Sequence, residues 1–192
     1  MTRSAGRPRD PSVDARVIKA ALDAINEEGM AGLSIDAIAA RAGVSKATIY
    51  RRWSSKDELV VDAIASLSGV VGAVTTGDVR TDLVAVVSDL RRFFCDTTAG
   101  EVFPWLAGEI ASQSALGLRY GAAVMVPKRA LVAGIISDGI ERGDLRPDID
   151  VATVVDLIIG PVIARRLMGN LANSPESWPD DLIDSLLIGW SA

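Results

Sequence analysis

The chain has 192 residues, enough for one or two domains with a real core and no need of disulfide or metal staples. It contains one Cys and no His, which removes disulfide frameworks, His-based catalytic dyads and triads and the commonest metal ligand, and lowers the case for an enzyme. The net charge is −5, yet residues 1–56 carry ten Lys/Arg against six acids, a net of +4, so the remainder carries −9: a basic head on an acidic body, as in a nucleic-acid reader joined to something else.

Residues 1–12 hold Arg3, Arg7 and Arg9 among Gly and Pro, with no apolar stretch of the kind found in a secretory signal, so a cytoplasmic protein is expected. This flexible basic arm is either a solubilising tail or an arm that orders on DNA, adding phosphate contacts or entering the minor groove. Ser12 stands where an N-cap belongs, and Ile18, Leu22 and Ile25 have the spacing of one helical face. Gly29 and Gly32 end that helix. Ser34 caps the next, with Asp36 near its N-terminal dipole and Ile35, Ile38 and Ala39 facing inward. Gly43 interrupts, Ser45 caps a third helix running to about Trp53, and Ser55 with Glu58 forms a capping box for a fourth. Gly69, Gly72 and Thr75–Gly77 mark a break. The expected organisation is an arm over 1–12, a head over 13–62 and a body over 63–192, with the fourth helix shared as a rigid lever.

In the body, Asp78 starts a long helix through Leu83, Val86, Val87, Leu90 and Phe94, on which Cys95 is expected as an inert buried thiol. Pro104 sits in the first turn of another helix. Leu116 to Arg142 can form one long helix that Pro127 should bend or break, with Gly143 at its C-cap. Asp150 caps an apolar helix to about Met168, kinked by Pro161. Asp156, Pro161 and the Arg165–Arg166 pair make that helix too short and too charged to span a bilayer, so no membrane partner is expected. Pro179 opens a final helix. No strand alternation, repeat or low-complexity tract appears, so the fold class is all-α: a helix-turn-helix head and a helical body.

The informative stretch is Leu33 to Leu59. Ala39, Gly43 and Ile49 have the spacing of a helix-turn-helix: a small residue where two helices cross, glycine at a left-handed turn, and a branched apolar residue holding the second helix on the first. Val44 plugs the turn from inside. Ser45, Lys46, Ala47 and Thr48 at the start of the second helix offer hydroxyls, an ammonium and a methyl to base edges of double-stranded DNA. Tyr50, Arg51 and Arg52 can reach phosphates, and Lys56 can do so beside the dipole of the fourth helix.

GRPR at Gly6–Arg9, the run from Gly32 to Ala39, AGVSKATIYRRW from Ala42 and SKDEL from Ser55 closely resemble the TetR (tetracycline-repressor-like) family of bacterial regulators. ERGDLRPDID from Glu141, followed by an apolar helix with Gly160–Pro161, resembles one branch's regulatory domain more loosely. The resemblance implies a fold of about nine helices, homodimers that read palindromic operators, and small-molecule inducers bound in the body. It also implies DNA contacts at Ser34, Thr48, Tyr50 and Lys56, and makes Trp53 an aromatic anchor of the head.

A mean hydropathy of +0.28 leaves apolar surface for an interface or a pocket. For a small apolar or amphipathic ligand, the candidates are Phe93, Phe94, Phe103, Trp105, Leu106, Glu109, Tyr120, Val124 and Met125, whose alternative role is plain core; Glu109 or Arg119 would be a polar anchor. For a homodimer interface, the candidates are Val155, Ile158, Ile159, Val162 and Ile163 with Leu182, Leu186, Leu187 and Trp190, in a four-helix arrangement with two helices from each subunit. No motif calls for a metal, a cofactor or a catalytic group. The expected function is a homodimeric repressor released from a palindromic operator by ligand. The alternatives are an activator of the same fold, a carboxylate enzyme using groups such as Glu101 and Glu109, or an interaction module without DNA binding.

Overall fold

A computed structural model of the chain describes residues 11–67 and 76–191. Arg7 and Arg9 of the arm, and the expected break over 69–75, lie outside the described residues. Of the described residues 77% are helical, and among them there is no strand, only an isolated bridge between Leu145 and Ser191. Two units divide between Ser66 and Leu67.

The first unit holds α1 (Pro11–Gly32), α2 (Ile35–Ala42) and α3 (Lys46–Tyr50), and α4 (Lys56–Leu67) closes it. Helix α1 begins at Pro11, so Ser12 lies within it rather than at its cap, and Gly29 breaks it at φ 67°. Its buried face is Val17, Ala20, Ala21, Ala24 and Ile25, while Ile18 and Leu22 are only half-buried. The alanines allow α2 to pack closely, which a reading that favoured the larger side chains overlooked. Ser34 Oγ accepts from the Ala37 N–H at 3.1 Å and Ser45 Oγ from the Thr48 N–H at 3.1 Å, so the N-termini of α2 and α3 are both capped. Gly43 lies in the left-handed region at φ 65°, turning the chain so that the Val44 N–H meets the Ala39 carbonyl at 3.0 Å. Helix α3 ends at Tyr50, earlier than expected, and a turn carries the chain to Trp53. Ile38, Ile49 and Leu59 are fully buried, and the buried Trp53 ring donates through Nε1 to Asp62 at 2.8 Å. The cap of α4 is shared: Ser55 Oγ accepts from the Glu58 N–H at 3.1 Å, while the Glu58 carboxylate reaches the Ser54 N–H at 2.6 Å.

The second unit contains α5 (Val79–Asp96), α6 (Thr98–Ala111), α7 (Ala115–Tyr120), a π-helical turn (Gly121–Met125), α8 (Val126–Arg142), α9 (Val151–Leu167) and α10 (Trp178–Leu187). Helix α5 packs against α6, α8, α9 and α10. Asp78 and Asp150 cap α5 and α9, accepting from the Thr81 and Thr153 N–H groups at 2.7 and 3.0 Å, and Gly143 ends α8 at φ 81°. Cys95 is exposed, contrary to the expected buried thiol; partial burial and the Asp96 carboxylate hold its thiol above the ordinary range.

Both interior prolines depart from expectation. Pro104 lies well inside α6, not in its first turn, so the Gly100 carbonyl four residues back has no helical N–H to accept. The Arg166 guanidinium of α9 fills that vacancy, donating from Nε at 2.8 Å and also from Nη2. Position 100 tolerates only glycine, because a Cβ there would stand 1.8 Å from the Phe94 carbonyl oxygen. Ahead of Pro127 the helix widens instead of breaking: the Val126 N–H bonds the Gly121 carbonyl five residues back, and helical backbone continues from Ala115 to Arg142.

Arg166→Met is expected to cost about 1–3 kcal/mol by orphaning the Gly100 carbonyl, and distinctly less in a Pro104→Ala background, where the substituted alanine supplies the missing N–H. Denaturant unfolding of the four variants measures that coupling. Hydrogen bonds from the Thr81 and Thr153 side chains and backbones hold Asp78 and Asp150 below the usual carboxylate range. A depressed folded pKa gives stability that is complete above the unfolded value, near about 4, and is lost as pH falls through the folded value. Asp150→Asn keeps a capping oxygen without a titrating group, so it should flatten the acid fall of the thermal midpoint while changing it little at neutral pH.

Candidate nucleic-acid interface and ligand cavity

The outward edge of α3 is built by its own cap and turn. Ser45, Lys46, Ala47, Tyr50 and Arg51 are exposed, and Thr48 is half-buried with its Oγ1 2.9 Å from Ser45 Oγ. Tyr50 keeps 53% of its surface accessible although it adjoins the fully buried Ile49. Ser34 is exposed at the start of α2. Lys56 is half-buried and donates from Nζ to the Leu33 carbonyl at 3.2 Å, tying α4 to the turn before α2.

Two basic residues of the head are committed internally. The Arg52 side chain is only 9% accessible and pairs with Asp14 of α1, so it is withdrawn from the phosphate-reaching set. Its partner lies too far along the chain for local spacing to reveal. Arg41 forks onto Glu27 at 2.8 and 2.7 Å, fastening α2 to α1. Lys46 also pairs with Asp36, which pushes its pKa up, but both side chains are more than half exposed. An exposed pair of this kind is weak, and an acceptor on another molecule can replace the carboxylate.

In the second unit, a cavity of about 70 Å³ opens between α5, α6, the π-turn, α8 and α9. It gathers Phe94, Phe103, Tyr120, Val124 and Met125 as expected, with Phe93 beside them. The Phe94 and Phe103 ring centroids lie 4.6 Å apart, and Phe93 meets Phe94 edge-on at 5.2 Å. Burial pushes the Tyr120 phenol above its ordinary pKa, so it stays a neutral hydroxyl. Trp105 and Glu109 do not line the cavity, and Trp105 is 38% exposed. The helical period explains both: two and six residues beyond the inward Phe103, a side chain has rotated to another face. Leu90, Lys128, Arg129, Ile159 and Ile163 also line the cavity. Lys128 could have been found from its position four residues after Val124 and eight after Tyr120.

The interface candidates are redistributed as well. Val155, Ile158, Ile159, Val162 and Trp190 are buried within their own chain, and Ile163, Leu182, Leu186 and Leu187 are half-buried. Val155, Ile158 and Val162, at 2% exposure or less, have almost no area left to give a partner, which corrects the expectation for these three, while Ile159 and Trp190 keep 9%. The outward stripe of α9 is instead Leu157, Gly160, Ala164, Leu167 and Met168, with Ile188 exposed just past α10. Among the described residues, no cluster of Cys, Asp and Glu is arranged to hold a metal, and no helix is long and apolar enough to cross a membrane.

Comparison with known proteins accounts for both units. Residues 17–63 match the family model for bacterial regulatory proteins of the tetR family, and residues 73–186 match the tetracyclin repressor-like C-terminal domain. The chain is 32% identical to an uncharacterized HTH-type transcriptional regulator, YdeS, of Bacillus subtilis, over 100% of this chain and 96% of that one. It is 41% identical over 88 residues to the DNA-binding transcriptional repressor TetR of Mycobacteroides abscessus, covering 44% of this chain and 45% of that one. The crystal structure of the TetR family regulator SCO0332 superposes with a TM-score of 0.74 at 31% identity, covering 93% of this chain and 98% of that one. With a capped helix-turn-helix in one unit and matches across both, the chain belongs to the TetR family of DNA-binding transcriptional regulators.

Proposed function

We propose that the protein is a cytoplasmic, homodimeric repressor that reads a palindromic operator and is released from it by a small apolar or amphipathic ligand. The observation that carries this reading is the edge of α3: a five-residue helix, capped at its start and anchored by Ile49, that turns Ser45, Lys46, Ala47 and Tyr50 to solvent. Such an edge suits a major groove, with Lys46 and Thr48 at base edges and Tyr50, Arg51 and Lys56 on phosphates. Ser34 at the start of α2 adds a hydroxyl to the same set, and Arg7 and Arg9 extend it along the arm. The repressor relative in Mycobacteroides abscessus supports the sign of regulation.

One short helix reads too little sequence alone, and two-fold symmetry supplies a second half-site. The α9 stripe supports such a dimer. Leu157, Leu167 and Met168 are 44%, 49% and 75% exposed and flank Gly160 and Ala164, where a second backbone can come close. The half-buried Ile163, Leu182, Leu186 and Leu187 can contribute at its margin.

A gel shift at stated salt, using the DNA flanking the protein's own gene, tests the reading. Lys56→Ala should weaken operator and random DNA by similar factors and lower the log–log salt slope by about one, and Tyr50→Ala should likewise act across sequences. Lys46→Ala or Thr48→Ala should instead erode discrimination, by about 1–3 kcal/mol at the base each one reads. A wild-type protein with no preference over bulk competitor would overturn the proposal. Leu157→Glu should yield folded monomers by light scattering with weakened operator binding, whereas Ile158→Glu, which charges a fully buried position, should unfold the chain by circular dichroism.

A further inference from the structure

Tyr120 ends α7 at the cavity wall, only 3% accessible, and among the described residues its hydroxyl has no hydrogen-bond partner on the protein. Burial alone raises its pKa, with no neighbouring charge or hydrogen bond contributing. The backbone that carries the phenol is fixed. Gly117, three residues earlier on α7, lies so close to α6 that a Cβ would stand 2.2 Å from the Glu109 carbonyl oxygen, and Ser114 caps the same helix, its Oγ accepting from the Gly117 N–H at 3.0 Å. Beside Tyr120 the cavity wall is Phe93, Phe94, Phe103, Val124 and Met125, and the Arg129 guanidinium that also borders it is met by Asp156 at 2.6 Å. A buried hydroxyl proton that the fold leaves unmatched costs free energy, and the occupant of the cavity has to meet it.

We propose that the cavity takes small aromatic molecules bearing a carbonyl oxygen, with Tyr120 Oη donating to that oxygen and the guest's ring packing on Phe93, Phe94 and Phe103. This rests on the reading of the cavity as the ligand site and adds the chemical class of the ligand. A phenol favours an acceptor over a donor, because conjugation with its ring acidifies the proton and draws on the oxygen lone pairs, and burial keeps that proton in place. The three phenylalanines already meet edge-on or tilted, at 5.2 and 4.6 Å between centroids, an arrangement that a further ring can extend. The void of about 70 Å³ is smaller than ordinary ligand sites, at roughly 300–1,000 Å³, so the guest is small and its entry moves the walls, the unbranched Met125 giving most readily.

Titration calorimetry on the full-length protein without DNA compares acetophenone with cumene, in which an isopropyl group of similar size replaces the acetyl, on the wild type and on Tyr120→Phe. Each compound's own cost of leaving water cancels in the ratio of its two dissociation constants. Acetophenone should bind Tyr120→Phe about ten-fold more weakly than the wild type, about 1.4 kcal/mol, while cumene binds the variant as well or slightly better. Without ligand, Tyr120→Phe should keep or raise the thermal midpoint, because it removes a hydroxyl that the fold leaves unpaired. An acetophenone affinity unchanged by Tyr120→Phe, a loss shared equally by cumene, or a clearly lowered midpoint of the unliganded variant overturns the carbonyl assignment and leaves the ligand site standing. Failure of both compounds to bind the wild type overturns the ligand site and the assignment together.

Discussion

Every helix ends with backbone N–H and C=O groups that have no partner within it, and a chain made of short helices meets that demand many times over. A five-residue helix such as α3 has no stability of its own, because nucleation costs more than one turn of hydrogen bonds returns. Its existence depends on Ser45 at its start, the left-handed Gly43 before it, and Ile49 buried beneath it. The same demand recurs at Ser34, Ser55, Asp78, Ser114 and Asp150, each of which accepts a backbone N–H near the start of a helix. The Gly100 carbonyl is the interior version of the problem, created by Pro104 and met by Arg166 from another helix.

This dependence explains what was legible in the sequence. Caps and left-handed glycines act within three or four residues, so Ser34, Gly43, Ser45, Asp78, Gly143 and Asp150 could be placed from their neighbours alone. Partnerships that cross the fold leave no such local trace. Asp14 with Arg52, Asp156 with Arg129 and Gly100 with Arg166 join residues 27 to 66 positions apart, and the first of them changed the role assigned to an arginine. Helix α9 misled for another reason. It is apolar on all sides, so composition identified it as covered on more than one face without telling which residues face inward. In the cavity, the aromatic residues could be nominated from the sequence, but Trp105 and Glu109 fall away once the α6 register is known.

The two units treat charge differently. In the head, Arg41 and Arg52 brace α1 against its neighbours while Lys46 is held only by an exposed carboxylate, so the cations are divided between fastening the scaffold and remaining exchangeable. In the body, Arg80 spans Asp180 and Asp184 at 2.6–3.0 Å to join α5 to α10, and Arg165 lies 4.7 Å over the Trp178 ring while bonding Ser174. Arginine's planar fork suits such bridging work, whereas the single-headed lysines occupy the α3 edge and the cavity wall.

The π-turn at Gly121–Met125 holds one more residue than an α-helical turn would. Removing that residue would let the segment close to an ordinary α-helical turn with everything after it kept in place, because the widened turn already takes up the extra residue. Lys128 and Arg129 would then still line the cavity, whereas a one-residue deletion in a regular stretch of the same helix would turn them away by about 100°. The widened turn therefore acts as an expansion joint: it takes up a one-residue change in chain length there without re-aiming the cavity wall that follows.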